Sequence, residues 1–286
     1  MISLAARVGR SLLSLAGVVL LGGLAAAALV RYSPGFDVDE NAWNPRIDAA
    51  TLAAMHARRE RENRLPVFYA RYLLAAARGD FGQSESFHAP VTELLRDRAP
   101  VSARLLAGGT LGGLFFGGIL AWLAVWPRRA GLSLFASGLS GLLLAIPPAV
   151  LALAFFFAEA PLPLTMAIAL LPRVFGTMRT LLEDLLSSPA LLAARARGVR
   201  PGSLVFRYIL GAAAPQWFAL AGVALMQAFG LLIPVEALCD VPGIGQLAWK
   251  AALARDLPLV AGLALIVTFL VAFVQTMGEL ADGGKA

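Results

Sequence analysis

Residues 11–30, 105–127, 130–158, 208–235 and 257–278 run without a single charged side chain. A helix needs about 20 consecutive apolar residues to cross a hydrocarbon core about 30 Å thick. Each of these stretches is long enough. In hydrocarbon every backbone N–H and C=O must be paired within the protein, and helices do this segment by segment. The chain is therefore expected to be an all-α integral membrane protein. Its composition agrees: 15% of the 286 residues are charged and the mean hydropathy is +0.75, where a soluble domain carries about 25% charged residues. A sixth, weaker span is read at 162–182, interrupted by Pro172 and Arg173. An arginine facing lipid at mid-depth costs about 3 kcal/mol, so Arg173 is expected to face a polar interior or to snorkel.

Lysine and arginine in the short loops set the orientation. Arg7 and Arg10 precede the first span, Arg128 and Arg129 follow the second, and Lys285 lies in the tail. Arg195, Arg197, Arg200 and Arg207 fall between the fourth and fifth spans. The alternate loops hold Glu159, and Lys250 and Arg255 beside Glu236, Asp240 and Asp256. The bias predicts about six transmembrane helices with both termini in the cytoplasm. The net charge of +6 thus reads as a topology signal rather than a nucleic-acid footprint. The first apolar stretch exceeds the 7–15 residues of a signal-peptide core, which favours an uncleaved anchor over residues 1–31. Residues 32–100 then form one long external loop, and residues 101–286 a five-helix core.

Within the external loop, Ser33-Pro34-Gly35 reads as a turn. Helices are predicted at 48–64 and at 66–78, the second ending at Gly79. The aromatic face Phe68, Tyr69, Tyr72 and Leu73 is expected to pack against the helix bundle. Gly109, Gly113 and Gly117 recur every fourth residue on one helix face, a spacing that lets helix backbones approach closely.

The cytoplasmic segment 187–211 carries the most information. Pro189 is placed to start a helix running to Arg197, and Gly198 permits a sharp change of direction. Pro201 starts a second helix, 203–210, with Leu204, Val205, Tyr208 and Ile209 on an apolar face. A helix–turn–helix with exposed arginines and an apolar patch suits docking on a soluble partner; it also suits contact with anionic lipid.

This segment resembles the coupling loop of ABC importer permeases, in the form found in the dipeptide/oligopeptide branch. Ala194, Arg195, Ala196, Arg197 and Gly198 match its core, and Ile209 and Leu210 fall where the family has Ile-Leu. Leu192 stands in place of the wider family's glutamate and Gly211 in place of its proline. Arg78, Gly79, Asp80, Phe81, Gly82, Gln83 and Ser84 resemble an external motif of the same branch, which Pro90–Leu94 and Arg98–Pro100 continue. Residues 178–186 resemble the lead into the coupling loop. Glu236 with Val241, Pro242, Gly243, Ile244 and Gly245, then Asp256-Leu257-Pro258, resembles the turn before the last helix. The resemblance implies a permease subunit in the bacterial cytoplasmic (inner) membrane, paired with a second, identical or homologous permease. It further implies two cytoplasmic ATPase subunits and an extracytoplasmic solute-binding protein. Its cargo would be a peptide, a nickel chelate or a similar small solute.

Other chemistries find little support. No G-x-x-x-x-G-K-[ST] nucleotide loop is present, so ATP hydrolysis is assigned to partners. Ser187, Ser188 and Ser203 have no histidine nearby in sequence. His56 and His88 lack ligand spacing, and Cys239 is the one cysteine, excluding an intramolecular disulfide. No catalytic, cofactor or metal site is expected. The alternatives are an ion-coupled secondary transporter, an intramembrane enzyme, or a membrane anchor subunit.

Overall fold

Apolar runs this long leave the chain little choice but successive helices. The computed structural model describes residues 4–32, 65–125, 130–204, 209 and 214–282. In chain order these hold α1 (Leu4–Arg31), α2 (Leu65–Ala76), α3 (Val91–Val125), α4 (Ala130–Ala145), α5 (Pro148–Phe157) and α6 (Leu162–Ser187). There follow α7 (Pro189–Ala196), α8 (Pro201–Leu204), α9 (Ala214–Leu238), α10 (Ile244–Leu253) and α11 (Leu257–Asp282). Among the described residues β pairing is confined to one isolated bridge, Gln83 with Pro90. The helix expected at 48–64 and the turn at 33–35 lie outside the described residues.

Among the described residues, three helices are long and apolar enough to cross a membrane: Val91–Val125, Gln216–Leu238 and Leu257–Val274. The expected single span at 130–158 is broken. Its halves, Gly131–Ala145 and Pro148–Phe157, meet at 94°. Pro147 sits in extended conformation (φ −57°, ψ 137°) and Pro148 opens the next helix. Two prolines remove two backbone donors, and each pushes the residue before it out of helical conformation. If the bent pair counts as one span the number is four. In α1 the apolar part, Leu13–Leu29, is shorter, and α6 carries Arg173, Arg179, Glu183 and Asp184 among its apolar residues.

The chain divides into two compact units, residues 1–98 with 247–272, and residues 99–246 with 273–286. In the second unit α6 packs against α4, α5 and α9, and α5 also packs against α9. The glycine face of α3 meets α6. A Cβ added at Gly109, Gly113 or Gly117 would come within 2.5, 2.9 or 2.8 Å of Met166, Leu170 or Val174. The four-residue spacing thus serves an interhelix contact within this chain. Met166 and Leu170 are fully buried there, in a core shared with Leu105, Ala228 and Leu231.

In the first unit the aromatic face of α2 packs inward, as its spacing suggested. Phe68 stacks on Tyr72 with ring centroids 5.6 Å apart. The Tyr69 hydroxyl donates to the Leu20 carbonyl of α1 at 2.6 Å, and the Tyr72 hydroxyl to the Pro258 carbonyl at 3.0 Å. Burial, reinforced by the Asp80 and Asp256 carboxylates, raises the Tyr72 phenol above its ordinary value of 10.0. A raised folded-state value gives stability that is complete below about pH 10 and is lost as the pH climbs further. The wild-type melting temperature should therefore fall more steeply between pH 9 and 11 than that of Tyr72→Phe, in thermal scans of detergent-solubilised protein. Parallel curves would refute this.

Candidate functional site

The first helix of the predicted coupling loop, α7, is capped at both ends. Ser188 closes α6 and opens α7. Its hydroxyl donates to the Leu185 carbonyl at 2.7 Å and accepts from the Leu191 amide at 3.4 Å, while Pro189 occupies the first helical turn. At the other end Gly198 adopts φ +73°. There the Gly198 and Val199 amides bond the Arg195 and Ala194 carbonyls at 3.0 and 3.2 Å, a left-handed helix stop that glycine adopts without a Cβ clash. A Cβ at Gly198 would meet nothing within 4 Å, so the glycine is required by backbone angle and not by space.

One face of α7 is sunk in the bundle. Leu191 and Ala194 are buried against Leu182 and Leu186 of α6. The opposite face presents Leu192, Ala193, Arg195, Ala196 and Arg197 to the surface. Of the apolar patch expected on the second helix, Leu204 and Ile209 are not offered outward. Leu204 and Ile209 are buried in the same core as Leu191, and the Trp217 indole N–H bonds the Ile209 carbonyl at 3.1 Å. An apolar face marks what will be covered but not by what, and here the chain's own helices cover it. The second helix is described only over α8; Val205, Tyr208 and Leu210 lie outside the described residues.

The turn after α9 is built on a fully buried carboxylate. The first amides of a helix have no partner within it, and α10 begins at Ile244. Glu236 accepts from the Gly245 and Gln246 amides at 2.6 and 3.3 Å, and from the Ser102 hydroxyl at 2.7 Å. Ser102 in turn accepts from the Ile244 amide at 2.7 Å. All three leading amides are thus satisfied, and a negative charge sits at the positive end of the helix. Gly243 and Gly245 are what let it close. A Cβ at Gly243 would overlap the Glu236 carboxylate, and one at Gly245 would come within 2.8 Å of the Leu232 carbonyl. Pro242 is exposed at the tip.

The external motif at 78–84 forms a second clasp, in the other unit. Gly79 and Gly82 adopt φ +83° and +75°, and Asp80 accepts from the Gly82 amide at 2.8 Å. Arg78, Gly79 and Asp80 are exposed. The loop brings Ser84 and Ser86 to Asp256, which is 1% exposed. One Asp256 oxygen accepts from both hydroxyls, at 2.5 and 2.7 Å, and from the Ser86 amide at 3.0 Å. The other caps α11 through the Leu259 amide at 3.1 Å. Asp256→Ala should cost about 2–4 kcal/mol, from a lost cap and lost charge-assisted bonds. Hydrogen exchange should then speed up at the Ser86 and Leu259 amides; unchanged protection at both would refute the clasp.

Ser84 stands in the sequence only as the last residue of the motif at 78–84, and Ser86 and Ser102 carry no signal there. Their partners lie 172, 170 and 134 positions away, and serine is too common a residue to mark such a pairing.

Residues 113–282 match the binding-protein-dependent transport system inner membrane component family, and the chain belongs to it. It is a multi-pass membrane protein of the ABC importer permease family, as its motifs suggested. The matched region contains the predicted coupling loop and the Glu236 turn but not the motif at 78–84. The nickel import system permease protein NikB of Staphylococcus aureus strain MRSA252 is 28% identical over 117 residues. That stretch is 41% of this chain and 36% of the relative. NikB of strain USA300 is 27% identical over the same length and shares. The match therefore spans about a third of the length of these curated relatives.

Proposed function

We propose that this chain is the transmembrane permease subunit of an ABC importer, forming part of the path for peptides or a similar small solute such as a nickel chelate. ATP hydrolysis would take place in two cytoplasmic partner subunits. A second permease would complete the path, and an extracytoplasmic solute-binding protein would deliver the cargo. In this reading the chain crosses the membrane about six times with both termini in the cytoplasm. Residues 1–31 are the anchor, 32–100 the external loop and 101–286 the permease core. The similarity to permease proteins of nickel import systems supports keeping a nickel chelate among the cargoes.

The observation that carries the reading is the build of α7. Its outer face, with Leu192, Arg195 and Arg197, is exposed, while its inner face is locked to the end of α6 through Leu191 and Ala194. A short helix held in this way passes a push on its outer face to a helix of the bundle. ATP binding in the partners shifts the permease between outward and inward access only by the difference in affinity between those states. Arg195, Ala196 and Arg197 would make the contact; Ala194, Gly198 and Ile209 would hold the contact in place. The Glu236 and Asp256 clasps would keep the external turns fixed while the bundle moves.

The direct test is a mild-detergent pull-down of the tagged chain from its native membranes, with co-purifying proteins identified and assayed for ATP hydrolysis. An ATPase and a second multi-pass subunit are expected. Recovery of the folded chain alone would defeat the importer reading and favour a secondary transporter or an anchor.

A further inference from the structure

On α6, Arg173, Gly176, Thr177, Thr180, Glu183, Asp184 and Ser187 are all exposed. Their spacing of three and four places them on one face, while Val174, Phe175, Leu182 and Leu186 are buried on the others. At 1.5 Å per residue the face runs about 21 Å, from the middle of the helix to the residue before the Ser188 cap. From Arg173 to Ser187 this face carries no large apolar side chain. Lipid is a poor neighbour for it, because an arginine facing hydrocarbon costs about 3 kcal/mol.

The two arginines of α6 differ. Arg179 is neutralised locally: it donates to the Glu183 carboxylate at 2.8 Å and to the Ser137 hydroxyl at 2.6 Å. Arg173 has no hydrogen-bond or ion-pair partner among the described residues. The hydroxyls beyond it turn inward, Thr177 donating to the Arg173 carbonyl at 3.0 Å and Thr180 to the Gly176 carbonyl at 3.1 Å. The guanidinium is thus the one strong donor left unspent at the head of the polar face. A guanidinium presents a planar fork that matches a carboxylate.

We infer that this face of α6 lines a water-filled stretch of the solute path, and that Arg173 receives a carboxylate of the passing solute there. This rests on the importer reading and adds the charge of the cargo to it. The carboxylate is either the terminus of a peptide or a group of a metal-binding polycarboxylate. Below Arg173 the face offers only small and hydroxyl groups as far as Glu183, which Arg179 pairs, and Asp184, so Arg173 is the position on it where an anion is held.

Charged thiol reagents test this in the assembled, ATP-hydrolysing complex in membranes. In a Cys239→Ser background, Thr177→Cys is treated with the sulfonatoethyl (anionic) or the trimethylammoniumethyl (cationic) methanethiosulfonate. Arg173 lies one helical turn away, so the anionic-to-cationic rate ratio should fall about tenfold on Arg173→Gln and be kept by Arg173→Lys. Absence of labelling by either reagent, or a ratio indifferent to Arg173→Gln, overturns the inference. Dialanine, dialanine amide and nickel citrate are then tried as protectants. Protection by dialanine but not by its amide identifies a peptide terminus, and protection by nickel citrate a chelate; protection by neither overturns the carboxylate assignment. A preparation without ATPase removes the importer reading and this inference together, whereas ATP hydrolysis with an unaltered ratio removes the inference alone.

Discussion

Gly243→Ala is expected to destabilise the permease by about 3 kcal/mol, the cost of stripping partners from a buried charge. This should lower its melting temperature in detergent by about 6–10 °C. The added methyl would occupy the space of the Glu236 carboxylate. A side-chain end can usually swing away at little cost, but this one is fully buried and accepts bonds from Ser102, Gly245 and Gln246. Moving it strands the charge and uncaps α10 at the same time. Ser102→Ala removes part of the same network, so the double variant should be less destabilised than the sum of the single ones. Additive losses, or a melting temperature within 2 °C of wild type (about 1 kcal/mol on the same scale), would show that the turn does not depend on this carboxylate.

Gly198→Val should leave the protein inserted and assembled but lower transport per ATP hydrolysed by about tenfold or more. A methyl here meets empty space, so the whole effect comes through the backbone. A β-branched residue resists φ +73°, and α7 would then end in a different direction, taking Arg195 and Arg197 with it. Gly198→Asn is the control, because asparagine tolerates the left-handed region, and it should behave nearly as wild type. Uptake of labelled dialanine or of a nickel radioisotope, measured alongside ATP hydrolysis in proteoliposomes, reads both quantities. Wild-type uptake by the valine variant would remove the claim that this turn transmits the stroke.

What could be read from sequence divides along physical lines. Local requirements were legible. Gly198 lies where a helix must stop, Pro189 where one must start, and the four-residue spacing of Gly109, Gly113 and Gly117 is a property of one helix face. The helix at 66–78 followed from its aromatic periodicity and from Gly79. Features that depend on a distant partner were not legible. Asp256 and Glu236 stood out as acids in motifs, but their bonds to Ser84, Ser86 and Ser102 exist only once the chain has folded. Leu204 and Ile209 formed an apolar face whose cover no pattern could name. The broken span is a different case. Pro147 and Pro148 were in plain view, but a proline is nearly as apolar as its neighbours, so a run judged by hydropathy passes straight through the residues that break it.

That break also bears on how the protein is made. The inserting machinery releases a segment to lipid when about 20 apolar residues are available to cross, and neither α4, with 16 residues, nor α5, with 10, reaches that length. Backbone groups freed at a bend inside hydrocarbon have no water to turn to, so they must be shielded by protein. The partners that pack on α5 are α6 and α9, both synthesised later. Residues 130–158 are therefore expected to settle into the membrane only after the helices that follow have emerged. The chain's order of synthesis and its order of insertion would then diverge at this point, and a nascent chain halted before α9 would hold a segment that lipid alone has no means to accommodate.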